Sequence, residues 1–177
     1  MKKLLYILPI VVALFITACD KNEDTKPKSS SSGTGGSNCN TEYQITSNSV
    51  TQTKGGTTSK INFKTCAVIV EYSNDDLYID LGDVDDLPHL QFQAYSNPSL
   101  NKVYTVDDSN SNVYYVGTDD EDYDSDDAGG SSSIKVTEFS EGASYEITKI
   151  GIKFNNVDCP SSSSSVTLNG TLVISKN

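Results

Sequence analysis

The chain has no tryptophan, one methionine and a single histidine, His89, among its 177 residues. With one histidine, no Ser-His-Asp arrangement and no His-Glu-x-x-His, serine-triad and zinc-hydrolase chemistry lack their groups. His89 follows Pro88 and precedes Leu90, where a strand is predicted to begin, a position that suits a structural role. Basic residues are also scarce: 13 Lys and Arg stand against 24 Asp and Glu, a formal net charge of −11. So acidic a surface repels phosphate backbones and anionic headgroups, which disfavours nucleic acid as a partner. Cations, neutral polymers such as glycans, and other proteins are the expected partners. No segment longer than about ten residues shows a capped 3.6-residue period. The apolar run from Leu4 to Ile16 falls short of the roughly 20 residues that span a bilayer core.

That run has another use. Lys2 and Lys3 lead it and Ile16-Thr17-Ala18-Cys19 closes it, giving the basic, apolar and small-residue regions of a secretory signal. The closing tetrapeptide resembles the bacterial lipobox, which implies a signal peptide over 1–18 and lipidation of Cys19. Attachment to a membrane then comes from acyl chains, at roughly 0.8 kcal/mol per buried CH₂. Residues 19–38, rich in Ser and Gly and nearly free of apolar side chains, are expected to form a flexible tether. The remainder, 39–177, is long enough for one domain.

Four cysteines are present. With Cys19 assigned to lipid, Cys39, Cys66 and Cys159 supply one disulfide and one free thiol in an oxidising compartment. A hairpin centred on Gly55 would set Cys66 opposite Gln44 and leave Cys39 on the order of 16 Å out of register. That exceeds the roughly 7 Å between Cα atoms that a disulfide spans. A Cys39–Cys159 bridge is therefore expected, both residues lying in polar, loop-like contexts.

The domain reads as strand almost throughout. Val166, Leu168, Gly170, Leu172 and Ile174 alternate with polar residues, as do Ile150, Ile152 and Phe154, and Ile134 and Val136. Further candidates are 42–52, 59–72, 77–81, 90–95, 102–106 and 112–116, separated by Gly, Asn, Asp and Pro clusters. About nine short strands at this spacing predict an all-β antiparallel sandwich, or else a small barrel.

The densest chemical feature is Asp119-Asp120-Glu121-Asp122-Tyr123-Asp124-Ser125-Asp126-Asp127. Crowded carboxylates repel one another, and a hard cation such as Ca²⁺ relieves that. Asp122, Asp124 and Asp126 copy the opening spacing of a calcium loop, although Asp127 stands where glycine is wanted and Ser133 where a bidentate Glu would close the site. The competing reading is a solvated acidic loop. The acids of 75–86 form a second such set. Outward tyrosines beside Asp and Asn, as in Val113-Tyr114-Tyr115-Val116, can hydrogen-bond sugars, and core packing accounts for them equally well.

Cys19-Asp20-Lys21-Asn22-Glu23-Asp24 resembles the acidic stretch after the lipidated cysteine in surface-exposed lipoproteins of Bacteroidota. The segments from Gly129 to Phe139, Tyr145 to Ile150 and Val166 to Ile174 are similar to small uncharacterised β-sandwich lipoproteins of that group. The resemblance implies an outer-membrane, surface-exposed location and a β-sandwich; it carries no catalytic residues. Together these features predict a tethered binding or accessory module for a protein or glycan partner, acting through the loops at 83–89 and 119–130. A calcium-dependent adhesion module is the alternative. A glycoside-acting enzyme, which needs two carboxyls facing across a cleft, comes third.

Overall fold

The computed structural model describes residues 41–177 apart from 67, 84–85, 108 and 126–130. The signal, Cys19, the tether, Cys39 and Asp126 lie outside the described residues. Twelve strands form two antiparallel sheets with no closed barrel. The larger contains β1 (Tyr43–Asn48), β2 (Thr51–Lys54), β3 (Thr57–Lys60), β7 (Val103–Thr105), β10 (Ser133–Glu141), β11 (Ile147–Pro160) and β12 (Ser165–Lys176). The smaller contains β4 (Val68–Ser73), β5 (Asp76–Asp83), β6 (Asp86–Ala94), β8 (Ser111–Val116) and β9 (Asp122–Asp124). Among the described residues, helix is limited to one 3₁₀ turn, Ala143–Tyr145.

The larger sheet runs β3-β2-β12-β11-β10-β7, and β1 also lies on β12. Along one edge of β12, Val166 to Asn169 pair with β2, while Leu172 to Lys176 pair with β1. The segment 42–52, which alternation alone reads as one strand, therefore divides at Ser49–Val50. Gly170 makes the division feasible: its φ is +118°, and a Cβ there would stand 2.3 Å from the Ser49 carbonyl oxygen. The Ser49 N–H donates to the Thr171 carbonyl at 2.8 Å, and its hydroxyl accepts from the Thr171 N–H at 3.0 Å. The smaller sheet runs β4-β5-β6-β8-β9.

Period-two alternation places one phase of each strand in a single core. Leu77, Ile79, Leu81, Leu90 and Phe92 from the smaller sheet join Ile134, Ile150, Ile152, Phe154 and Leu168 from the larger. The Phe92 and Tyr104 rings meet edge to face across the sheets, their centroids 5.9 Å apart. Burying each such side chain is worth about 1.5–3 kcal/mol, so this cluster dominates the fold.

Two expectations need correction. Cys159 is a free thiol, so the Cys39–Cys159 bridge does not form; Cys66 is disulfide-bonded, and not to Cys159. What reads as a loop at Val157-Asp158-Cys159-Pro160 is the far end of the long strand β11, and Cys159 sits on its inward phase opposite Val166, fully buried. Burial also pushes its thiol pKa well above the ordinary value. Nor is the acidic segment a continuous loop, because Asp122–Asp124 form strand β9 with Tyr123 turned into the core.

Candidate functional site

Two carboxylates of the acidic segment, Asp119 and Glu121, are held by Lys54. Gln52 and Lys54 lie opposite Leu168 and Val166 in β12, on the inward phase at the open side of the sandwich. They reach the smaller sheet: the Tyr115 hydroxyl donates to Gln52 Oε1 at 2.8 Å, and Lys54 Nζ donates to Asp119 Oδ2 at 2.7 Å and Glu121 Oε2 at 2.8 Å. Glu121 Oε1 also accepts from Ser161 at 2.5 Å, from Ser164 at 3.1 Å and from Ser163. The ammonium of Lys54, with these hydroxyls, holds the Glu121 carboxyl far below the usual carboxylate range. In return Asp119, then Glu121, raise the Lys54 pKa. The knot staples the two sheets, and its carboxylate oxygens already have donors.

Asp122 and Asp124, two of the three residues expected to bind calcium, point the same way from β9 and are exposed. Being two apart on an extended strand, their Cα atoms lie about 7 Å apart rather than wrapped around a common centre. Asp122 also accepts a hydrogen bond from Tyr114. Among the described residues no group of three His, Cys, Asp or Glu is arranged to hold a metal.

The strand register builds something that no single stretch of sequence displays. On the outer face of the smaller sheet, Ile69, Asp80, Gln91, Tyr114 and Asp124 fall opposite one another, one from each strand. Beside that row runs a second, Glu71, Tyr78, Gln93 and Asn112. At the strand spacing of about 4.8 Å, the five-membered row is roughly 19 Å long. Asp80 organises the centre: Oδ2 accepts from Tyr78 at 3.2 Å and Gln91 at 3.3 Å, while Oδ1 lies 2.7 Å from His89 Nε2. Burial, then Asp80, pushes the Tyr78 pKa up to about 12, which keeps its hydroxyl a donor. His89 is 1% exposed, and its ring meets Tyr114 edge to face at 6.3 Å. Its Nδ1 has no partner among the described residues, which puts the ring proton on Nε2, donating to Asp80. His89 shares the outward phase of β6 with Gln91, and, almost wholly covered, it holds Asp80 and Tyr114 in place. The strands of this sheet contain no lysine at all.

Among the described residues, clefts open at the side of the sandwich. One, of about 270 Å³, is lined by Glu42, Tyr43, Val70, Tyr72, Glu146 and Ile147. Its two carboxylates share one cation: Lys176 bridges Glu42 at 3.0 Å and also binds Glu146. Another, of about 200 Å³, lies between Gln52, Ile61, Pro88 and Tyr115. No family model, no curated protein and no solved structure matches the chain.

Of the loops expected to bind a partner, 83–89 is largely strand, since β6 begins at Asp86, and the start of β6 shares one end of the smaller sheet with the turn 117–121, because His89 pairs with Val116. The two rows on the sheet were not foreseen. Their signal was present as the polar phase of strands 77–81, 90–95 and 112–116, but which polar residues stand side by side is a matter of register.

Proposed function

We propose that this protein is a tethered binding module of the cell envelope, and that the outer face of its five-stranded sheet takes a neutral sugar polymer. The observation that carries this reading is the continuous row Asp80-Gln91-Tyr114-Asp124 with Tyr78, Gln93 and Asn112 beside it. Carboxylates and planar amides exchange hydrogen bonds with vicinal hydroxyls, and tyrosine adds an apolar ring with a polar tip. One strand spacing is close to the length of one pyranose unit, so a chain lying across the strands meets a polar side chain at each sugar. With Glu71, Asp80, Asp122 and Asp124 on the face and no lysine in its strands, uronate or sulfate polymers are repelled. The lipid anchor at Cys19 and a surface-exposed outer-membrane location complete the proposal, resting on the leader sequence and its resemblance to Bacteroidota lipoproteins.

Binding is favoured over catalysis on chemical grounds. Glycoside hydrolysis needs one carboxylic acid kept protonated. In the cleft that holds two carboxyls, Lys176 instead lowers the pKa of Glu146. His89, the one group paired with Asp80 that could exchange a proton, is 1% exposed and out of a substrate's reach. The test is affinity electrophoresis of the full chain through neutral and uronate-containing polysaccharides. Retardation by a neutral polymer, lost in Tyr114→Ala and Gln91→Ala, is the expected result. Equal retardation of both variants and the parent would remove the face from the proposal.

A calcium-dependent version of the module would use Asp122 and Asp124, which face outward together. Thermal unfolding in excess Ca²⁺ and in EDTA tests it: a filled site at a hundred times its dissociation constant adds about 2.7 kcal/mol, several degrees in midpoint.

A further inference from the structure

The lysines are distributed unevenly between the sheets. Every lysine found in a described strand belongs to the seven-stranded sheet: Lys54, Lys60, Lys135, Lys149, Lys153 and Lys176. Three of these are neutralised, Lys54 by Asp119 and Glu121, Lys149 by Glu138 and Lys176 by Glu42 and Glu146. Lys135 and Lys153 differ. They stand directly opposite each other on β10 and β11, on the outer face, and neither has a carboxylate partner among the described residues. Like charges in direct cross-strand opposition destabilise a sheet, and in a chain with so many acids a partner would be simple to supply.

Next to them is an apolar patch. Val103 on the edge strand β7 pairs with Lys135 and is 53% exposed, and Leu100, in the turn leading to β7, is 56% exposed. Exposed aliphatic side chains beside unpaired lysines are the composition of a membrane-interface surface. The chain also enters the domain on this sheet, since β1 is its first strand, with 40 residues preceding Thr41. The net charge of −11 does not prevent such docking. Charges on the far face lie beyond the Debye length of about 8 Å at physiological salt, and on this face Glu138 is paired with Lys149, leaving Asp158 on β11 as the acid that Lys135 and Lys153 must outweigh.

We propose that the outer face of the larger sheet, through Lys135, Lys153, Val103 and Leu100, rests on a phosphate-bearing lipid headgroup layer. The five-stranded face then points away from the membrane, free for its ligand. This orientation rests on the anchored reading of the leader, and the test separates the two.

The full chain is bound to vesicles of phosphatidylcholine alone, or of phosphatidylcholine with phosphatidylglycerol, and its lysines are labelled with an amine-reactive reagent. Labelling of Lys135 and Lys153 is expected to fall several-fold on the anionic vesicles only, to recover at high salt, and to leave Lys60 little changed. Lys135→Glu with Lys153→Glu should weaken binding to anionic vesicles on the order of ten-fold or more, at about 1 kcal/mol per lysine near such a surface. Binding to neutral vesicles should be unaltered. Unchanged labelling on chain bound to both vesicles overturns the docking face and leaves the anchor standing. Failure to bind neutral vesicles, with lysine protection on anionic ones, overturns the anchor and keeps the face. Equal protection by soluble polyphosphate would show that the face takes a free polyanion, and equal protection without any addition, rising with protein concentration, would show a second copy of the chain; either result overturns the lipid assignment.

Discussion

The two outer faces of the sandwich are built by the same alternation and carry opposite chemistry. On the five-stranded sheet the outward positions are mostly Tyr, Gln, Asn, Asp and Glu, with Ile69 at one edge and no lysine in any strand. On the seven-stranded sheet they are mostly Thr, Ser and Lys, as at Thr53, Thr167, Thr171 and Lys153. Threonine suits a strand because its branched Cβ packs on the pleat and its hydroxyl satisfies itself locally. The Thr53–Thr58 hydroxyl pair, 2.9 Å apart, is one instance. The Thr and Ser positions of that face need no ligand to explain them. Aspartate, asparagine and glutamate are less common choices for a strand, and their rows on one sheet are what the proposed binding face rests on.

The comparison can be broken most strongly from beneath. Phe92→Ala under the smaller sheet and Phe154→Ala under the larger should each cost about 3–5 kcal/mol in denaturant unfolding, since both rings are fully buried in one shared core. Unequal costs would mean that the sheets are not equally committed to that core. Gly170→Ala tests the larger sheet alone. It places a Cβ against Ser49 and forces a positive φ on alanine, so a loss of about 1–3 kcal/mol is expected, with β1 and β2 becoming exchangeable in amide hydrogen exchange. A matched surface pair sharpens the contrast. Tyr114→Ala should reduce polysaccharide affinity roughly ten-fold, about 1.4 kcal/mol, while Thr171→Ala on the other face leaves it unchanged.

The smallest effect is the pH profile, read as thermal midpoint against pH. On the acid side, Glu121, Asp119 and Glu146 have lowered pKa values, each chiefly through a lysine. Their contribution is present above the unfolded carboxylate value of about 4 and is lost as pH falls through the lower folded values. On the alkaline side, burial raises Tyr104 to about 12 and raises Tyr115 and Cys159 as well. Their contribution is present below the unfolded values of about 8.5 for Cys and 10 for Tyr, and is lost as pH rises through the folded ones. A plateau between about pH 5 and 8 is expected, and Lys54→Met should remove the part of the acid limb that Asp119 and Glu121 supply while leaving that of Glu146, which is held by Lys176. Cys159 should also resist alkylation until the chain unfolds, a result that peptide mapping checks alongside the bonded state of Cys66.

Much of the fold was legible in local sequence. The apolar phase of Val166 to Ile174 and of Ile150 to Phe154 does lie inward, because a strand turns alternate side chains to opposite faces whatever its neighbours are. Strand ends were less legible. Cys159 looked exposed among Asp158 and Pro160 because polar neighbours say nothing about the phase of a strand that runs on for 14 residues. Ser49–Val50 looked continuous because the interruption is dictated by Gly170, more than a hundred residues away.

The sequence by itself determined the class of structure, the acidity of the chain and the inward half of each strand, since these depend on composition and on a period of two. Tertiary structure alone decided which polar residues became neighbours. Lys54 meets Glu121, Asp80 meets Gln91 and His89, and Lys135 faces Lys153 through strand register and sheet order. A one-residue slip would leave the composition unchanged and turn each of these side chains to the other face. Functional surfaces in this fold are therefore a property of pairing, and the free energy that selects the pairing comes from the buried side of the same strands.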